Sequence, residues 1–171
     1  MIWYTRSRRK RRLMYSLTII ILILIAISIY SLYGYVQTRK IFATEGFIEM
    51  RLEKVISVDK LAVVQLKSDC SELSFYISPD QASAISEGIS NVTKFRPMTH
   101  DTFVNVLEGF DVKPIMVKIT KLSENTYYAE LTLQRGNRFL IVDSRPSDAI
   151  ALAVRTNVPI YVNESLTTKV C

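Results

Sequence analysis

Histidine and cysteine are nearly missing from this chain: one histidine, His100, and two cysteines, Cys70 and Cys171, in 171 residues. A lone histidine excludes a multi-histidine zinc site within one chain. The two cysteines match no metal-ligand spacing and make no disulfide framework. Because a chain terminus tends to fray, both are expected as free thiols. Acids are absent from residues 1–40, and no charged residue of either sign lies between Leu13 and Thr38. No Walker loop, dinucleotide fingerprint, zinc-protease helix or serine elbow occurs, which excludes several common enzyme classes. There is no internal repeat.

The charge that is present is unevenly placed. Residues 1–40 hold eight Lys or Arg, whereas residues 41–171 hold fourteen against sixteen Asp or Glu, a net of −2. The overall +6 therefore belongs to the N-terminal segment. The remainder has no bulk electrostatic footprint for nucleic acid. Residues 13–38, with an Ile/Leu centre from Leu17 to Ile29, supply the roughly 20 apolar residues that a membrane span needs. Tyr15, Tyr30, Tyr33 and Tyr35 lie toward its ends, where aromatic rings favour the headgroup level. Arg6, Arg8, Arg9, Lys10, Arg11 and Arg12 precede the span and only Arg39 and Lys40 follow it. The positive-inside rule then keeps residues 1–12 cytoplasmic and sends the rest across, as an uncleaved signal anchor in contact with lipid. On that side Asn91-Val92-Thr93 and Asn163-Glu164-Ser165 are glycosylation sequons.

After a linker at 39–46, residues 47–171 read as one α+β domain with a mostly antiparallel sheet and about three helices. Strand-like alternation occupies Phe47–Glu53, Leu61–Leu66, Leu73–Ile77, Ile115–Thr120, Tyr127–Leu133, Phe139–Asp143 and Val158–Val162. Ser78-Pro79 opens a helix over about 79–90 that faces Ala82, Ile85 and Ile89 inward. Phe103, Val106, Leu107 and Phe110 form the inward stripe of a second helix. Ser147–Thr156 is an alanine-rich third.

Two segments cluster polar groups at helix starts: Arg96-Pro97-Met98-Thr99-His100-Asp101, and Asp143-Ser144-Arg145-Pro146-Ser147-Asp148. Each pairs Arg-Pro with a hydroxyl residue and an Asp. Proline holds the preceding Arg extended, and the helix start favours an anion, so Arg96, Arg145 and Ser147 are candidate phosphate-binding residues. His100 is a candidate general acid or base, or else a packed histidine. Asp101, predicted on the solvent side of its helix, either binds metal or complements the helix dipole. Asp143 and Asp148 either hold Mg²⁺ or Mn²⁺ beside an Arg, or form a salt-bridge and capping network with Ser147 as the cap. Glu130 is a further candidate ligand.

These pieces, with Tyr127-Tyr-Ala-Glu-Leu131 and the block Asp143–Arg155 followed by Pro159-Ile-Tyr-Val162, resemble the bifunctional nuclease family (domain of unknown function 151). The similarity runs from about Phe47 to Val162. It implies an α+β fold, a tendency to homo-oligomerise, and cleavage of RNA and DNA. The resulting expectation is a membrane-anchored phosphodiesterase that uses a divalent metal. In it His100, Asp101, Asp143 and Asp148 are catalytic, with the three Asp as metal ligands. The alternative is a non-catalytic, membrane-tethered binding or assembly domain.

Overall fold

The computed structural model describes the backbone of residues 2–90 and 95–171, so the sequon at Asn91 lies outside the described residues. The chain divides into two compact units, Met1–Ala43 and Thr44–Cys171. The first is one helix, α1 (Ile2–Phe42). Within it Met14–Val36, 23 residues, is long and apolar enough to cross a membrane. At 1.5 Å per residue that stretch is about 35 Å long, against a hydrocarbon core of roughly 30 Å. The helix outruns the span predicted at 13–38 because no proline or interior break stops it. The connection shrinks to residues 43–46 and ends at Gly46, whose φ of +74° suits a residue without a Cβ.

The second unit contains β1 (Phe47–Val58), β2 (Leu61–Lys67), β3 (Ser71–Ile77), α2 (Pro79–Ser90) and α3 (Thr99–Gly109). They are followed by β4 (Lys113–Ser123), β5 (Thr126–Arg135), β6 (Arg138–Ser144), α4 (Pro146–Thr156), β7 (Ile160–Asn163), a 3-10 turn (Glu164–Leu166) and β8 (Thr168–Lys169). The strands make a single sheet in the order β6-β5-β4-β7-β1-β2-β3-β8. Every neighbouring pair is antiparallel except β4 with β7. The α+β class stands as predicted.

Two helices of this unit pack on the sheet, α4 against β4 and β5 and α2 against β1 and β2, while α2 and α3 both touch α4. The core holds Leu66, Ile85, Ile119, Leu131 and Ile150, all fully buried. Each such side chain stabilises the fold by about 1.5–3 kcal/mol relative to exposure. At α2 a capping box closes the start: Ser78 Oγ accepts from the Gln81 N–H and Gln81 Oε1 accepts from the Ser78 N–H.

Several expectations change. Ile89 is exposed, and only Ala82 and Ile85 of the predicted α2 face are buried. Helix α3 is rotated: Leu107 is buried, but Phe103, Val106 and Phe110 face outward. Val104 and Leu107 supply its inward side, next to Asp101. Strand β4 is not half exposed. It sits between β5 and β7, and Met116, Val117, Lys118 and Ile119 are all buried. Cys70 and Cys171 are not free thiols: they form a disulfide across a separation of 101 residues. The short β8, which pairs with the start of β3, brings them together. The second sequon has its asparagine engaged, with Asn163 Nδ2 donating to the Thr120 carbonyl and Oδ1 accepting from the Ser165 N–H.

Candidate active site

Strand β6 hands over directly to α4. Pro146 occupies the first helical position, where its fixed φ fits and its missing N–H matters least. Arg145 before it is extended, at φ −69° and ψ 143°, and is the N-cap residue. Ser147 therefore lies inside the first turn, buried, and is not the cap that was expected. Three positions past the cap comes Asp148. The Arg145 side chain forks onto its carboxylate, with Nε donating to Oδ2 at 2.5 Å and Nη2 to Oδ1 at 3.2 Å. This hydrogen bond, and then the carboxylate's charge, push the Arg145 pKa above its ordinary value.

Helix α3 begins in a parallel way, with Met98 at the N-cap, His100 second and Asp101 third. His100 Nε2 lies 3.3 Å from Asp148 Oδ1, joining residues 48 apart in sequence. The two Arg-Pro segments thus meet through His100 and Asp148, whose side chains are 19 % and 27 % exposed. Among the described residues His100 Nδ1 has no protein partner. Arg145 remains 69 % exposed and borders solvent.

Two clefts, of about 370 and 440 Å³, share Thr99, His100, Arg145 and Asp148 in their walls. The first is completed by α2, with Asp80, Gln81 and Glu87. The second is completed by Phe103 and Leu152. Sequence reading missed the contribution of α2, because nothing in the spacing of Asp80 and Glu87 points to a site 12 to 20 residues further on, at Thr99–His100.

Other predicted residues stand elsewhere. Asp101 is not on the solvent side. Its Oδ1 accepts from Arg155 Nε at 2.6 Å and its Oδ2 from the Met98 N–H at 2.9 Å. Asp143 is exposed on β6, cross-strand from Glu130, which is in turn cross-strand from Lys118. The adjacent Val142 packs on the core beneath the helices. Because side chains alternate along a strand, Asp143 and Glu130 lie on the opposite sheet face. Arg96 is exposed and lines neither cleft. Among the described residues, no three His, Cys, Asp or Glu side chains gather closely enough to share a metal ion. The four carboxylates considered as ligands therefore do not fit one Mg²⁺ or Mn²⁺ centre: Asp148 is taken by Arg145, Asp101 by Arg155, and Asp143 and Glu130 face away.

The bifunctional nuclease domain matches residues 62–170, from β2 to the end of β8. The chain belongs to the bifunctional nuclease domain family. A relative named an uncharacterized protein, from Mycobacterium tuberculosis, is 36% identical over 94 residues, 55% of this chain and 56% of its own length. "Bifunctional nuclease 1" of Arabidopsis thaliana is 36% identical over 81 residues, 46% of this chain and 25% of that protein. "Bifunctional nuclease 1" of Oryza sativa subsp. indica is 30% identical over 110 residues, 61% of this chain and 33% of that protein. The chain thus spans about half or less of the length of these relatives.

Proposed function

We propose that this chain is a membrane-anchored nuclease that cleaves RNA or DNA phosphodiesters at the His100–Asp148–Arg145 cluster. The supporting observation is the 3.3 Å contact between His100 Nε2 and Asp148 Oδ1 in a cleft bordered by Arg145, within a nuclease-family domain. Asp148 accepts the Nε2 proton and so holds the imidazole in one tautomer, leaving the Nδ1 lone pair as the base. Nδ1 removes the proton from the attacking hydroxyl, of water or of a ribose 2′-OH. The imidazolium formed then returns a proton to the departing oxygen. Arg145 has N–H groups beyond those spent on Asp148. Together with the starts of α3 and α4 they hold the phosphate as its charge grows.

The anchor reading rests on Met14–Val36 and its basic flank. The Cys70–Cys171 bridge supports placing the domain on the non-cytoplasmic side, since disulfides persist in oxidising compartments. The near-neutral charge of residues 41–171, with Asp80 and Glu87 beside the cleft, favours a second reading, a non-catalytic tethered binding or assembly domain.

The test uses the full chain in detergent with labelled single-stranded RNA and DNA, with and without Mg²⁺ or Mn²⁺. His100→Ala, Asp148→Asn and Arg145→Gln should each lower cleavage by about a hundredfold or more, and Asp143→Asn should leave it unchanged. No cleavage by the unmodified protein under any of these conditions would favour the tethered binding domain.

A further inference from the structure

We infer that Arg155 is a positioning residue, a strut that sets the start of α3 so that His100 meets Asp148. This rests on the reading of His100 as the acting base. Arg155 lies on the same face of α4 as Asp148, seven residues or about two turns further on. Its side chain is 8 % exposed. From that position the guanidinium reaches three helices. Nε donates to Asp101 Oδ1 of α3 at 2.6 Å, while Nη1 donates to the carbonyls of Ala84 in α2 and Ala151 in α4, each at 2.8 Å.

Asp101 passes this hold to the backbone. Its second oxygen takes the Met98 N–H, so one carboxylate fixes both the N-cap of α3 and the line to Arg155. His100 lies between these two attachment points, Met98 and Asp101, and stays in place only if the first turn of α3 does. The arrangement also accounts for the outward turn of Phe103, Val106 and Phe110: a charged, geometrically specific pairing at Asp101 sets the rotation of the helix. The planar fork matters, because a lysine ammonium at position 155 could not serve one carboxylate and two carbonyls in these directions.

The experiment exploits the single histidine, which makes the imidazole resonances unambiguous. The full chain in detergent is labelled with ¹⁵N-histidine, and the Nε2-bound proton is followed by NMR. In the unmodified protein it should be downfield and slow to exchange, and Asp148→Asn should abolish that signature. Arg155→Lys, Arg155→Met and the milder Asp101→Asn should each weaken or abolish it while circular dichroism shows the fold retained. Where cleavage is measurable, kcat should fall by about a hundredfold, as for a misplacement near 1 Å, with KM little changed. Persistence of the slow-exchanging proton in folded Arg155→Met and Asp101→Asn would overturn the strut. Absence of cleavage by the unmodified chain would count against the nuclease reading only, since the proton signature reports the His100–Asp148 contact without any substrate.

Discussion

Gly88 provides a test of how tightly α2 and α4 are fitted. In a helix interior, Gly→Ala normally stabilises by about 0.5–1 kcal/mol, because glycine gives up more backbone freedom. Here a Cβ would stand 2.6 Å from Arg155 Nη1 and 2.6 Å from Val154 Cγ2. Neither neighbour yields freely. Arg155 is held by Asp101, Ala84 and Ala151, and Val154 packs against the core and is stiff at χ1. Overpacking of this kind destabilises by about 1–3 kcal/mol. Displacing Nη1 from a carbonyl adds roughly 1 kcal/mol. Net of the propensity gain, Gly88→Ala should destabilise by about 1–3 kcal/mol, which lowers Tm by roughly 3–10 °C for a domain of this size. The assay is thermal unfolding of the full chain in detergent, followed by near-ultraviolet circular dichroism of the tyrosines. Gly109→Ala is the control, since a Cβ there meets nothing within 4 Å, and its Tm should hold or rise. A Tm for Gly88→Ala at or above that of the parent would refute the close-packing argument.

Reduction of the Cys70–Cys171 bridge, which closes 101 residues, should lower stability by about 2–4 kcal/mol while leaving the domain folded, read from urea midpoints with and without reductant. Burial first, then the charge and hydrogen bond of Glu49, raise Tyr161 above 10.0. The unfolded chain gives up this proton before the folded one does. Stability should therefore fall as pH climbs from 10.0 toward the raised value, and Tyr161→Phe should remove that loss. Lys118 is shifted the other way, below 10.5, by burial, partly opposed by Glu130. There the unfolded chain holds the extra proton, so stability should rise with pH between the depressed value and 10.5, and Lys118→Met should flatten that rise in alkaline urea titrations.

Much of the architecture was readable because it follows from period and sign. The charge-free run at Met14–Val36 and the alternation in Leu61–Lys67 and Thr126–Arg135 need only local rules. His100 and Asp148 stand out in the sequence because each follows an Arg-Pro pair at a helix start, but their contact is set by the packing of α3 on α4. Misreadings came where a partner distant in sequence decides the outcome. The apolar spacing of Phe103, Val106 and Phe110 yields to Arg155, 54 residues beyond Asp101. Burial of Lys118 follows from β7 arriving on the far side of β4, which no local pattern announces. Asp143 is different: its alternation with Val142 already assigned it to the other face of the sheet, and its place in a shared motif outweighed that parity.

The disulfide also constrains the order of assembly. Cys70 leaves the ribosome before all three helices of the domain and six of its eight strands, and its mate follows the last strand. No covalent guidance is on hand while β4, β5, β6 and α4 find their places. The bond can only ratify a tertiary arrangement that packing has already selected, acting as a latch on a finished body rather than a template for making one.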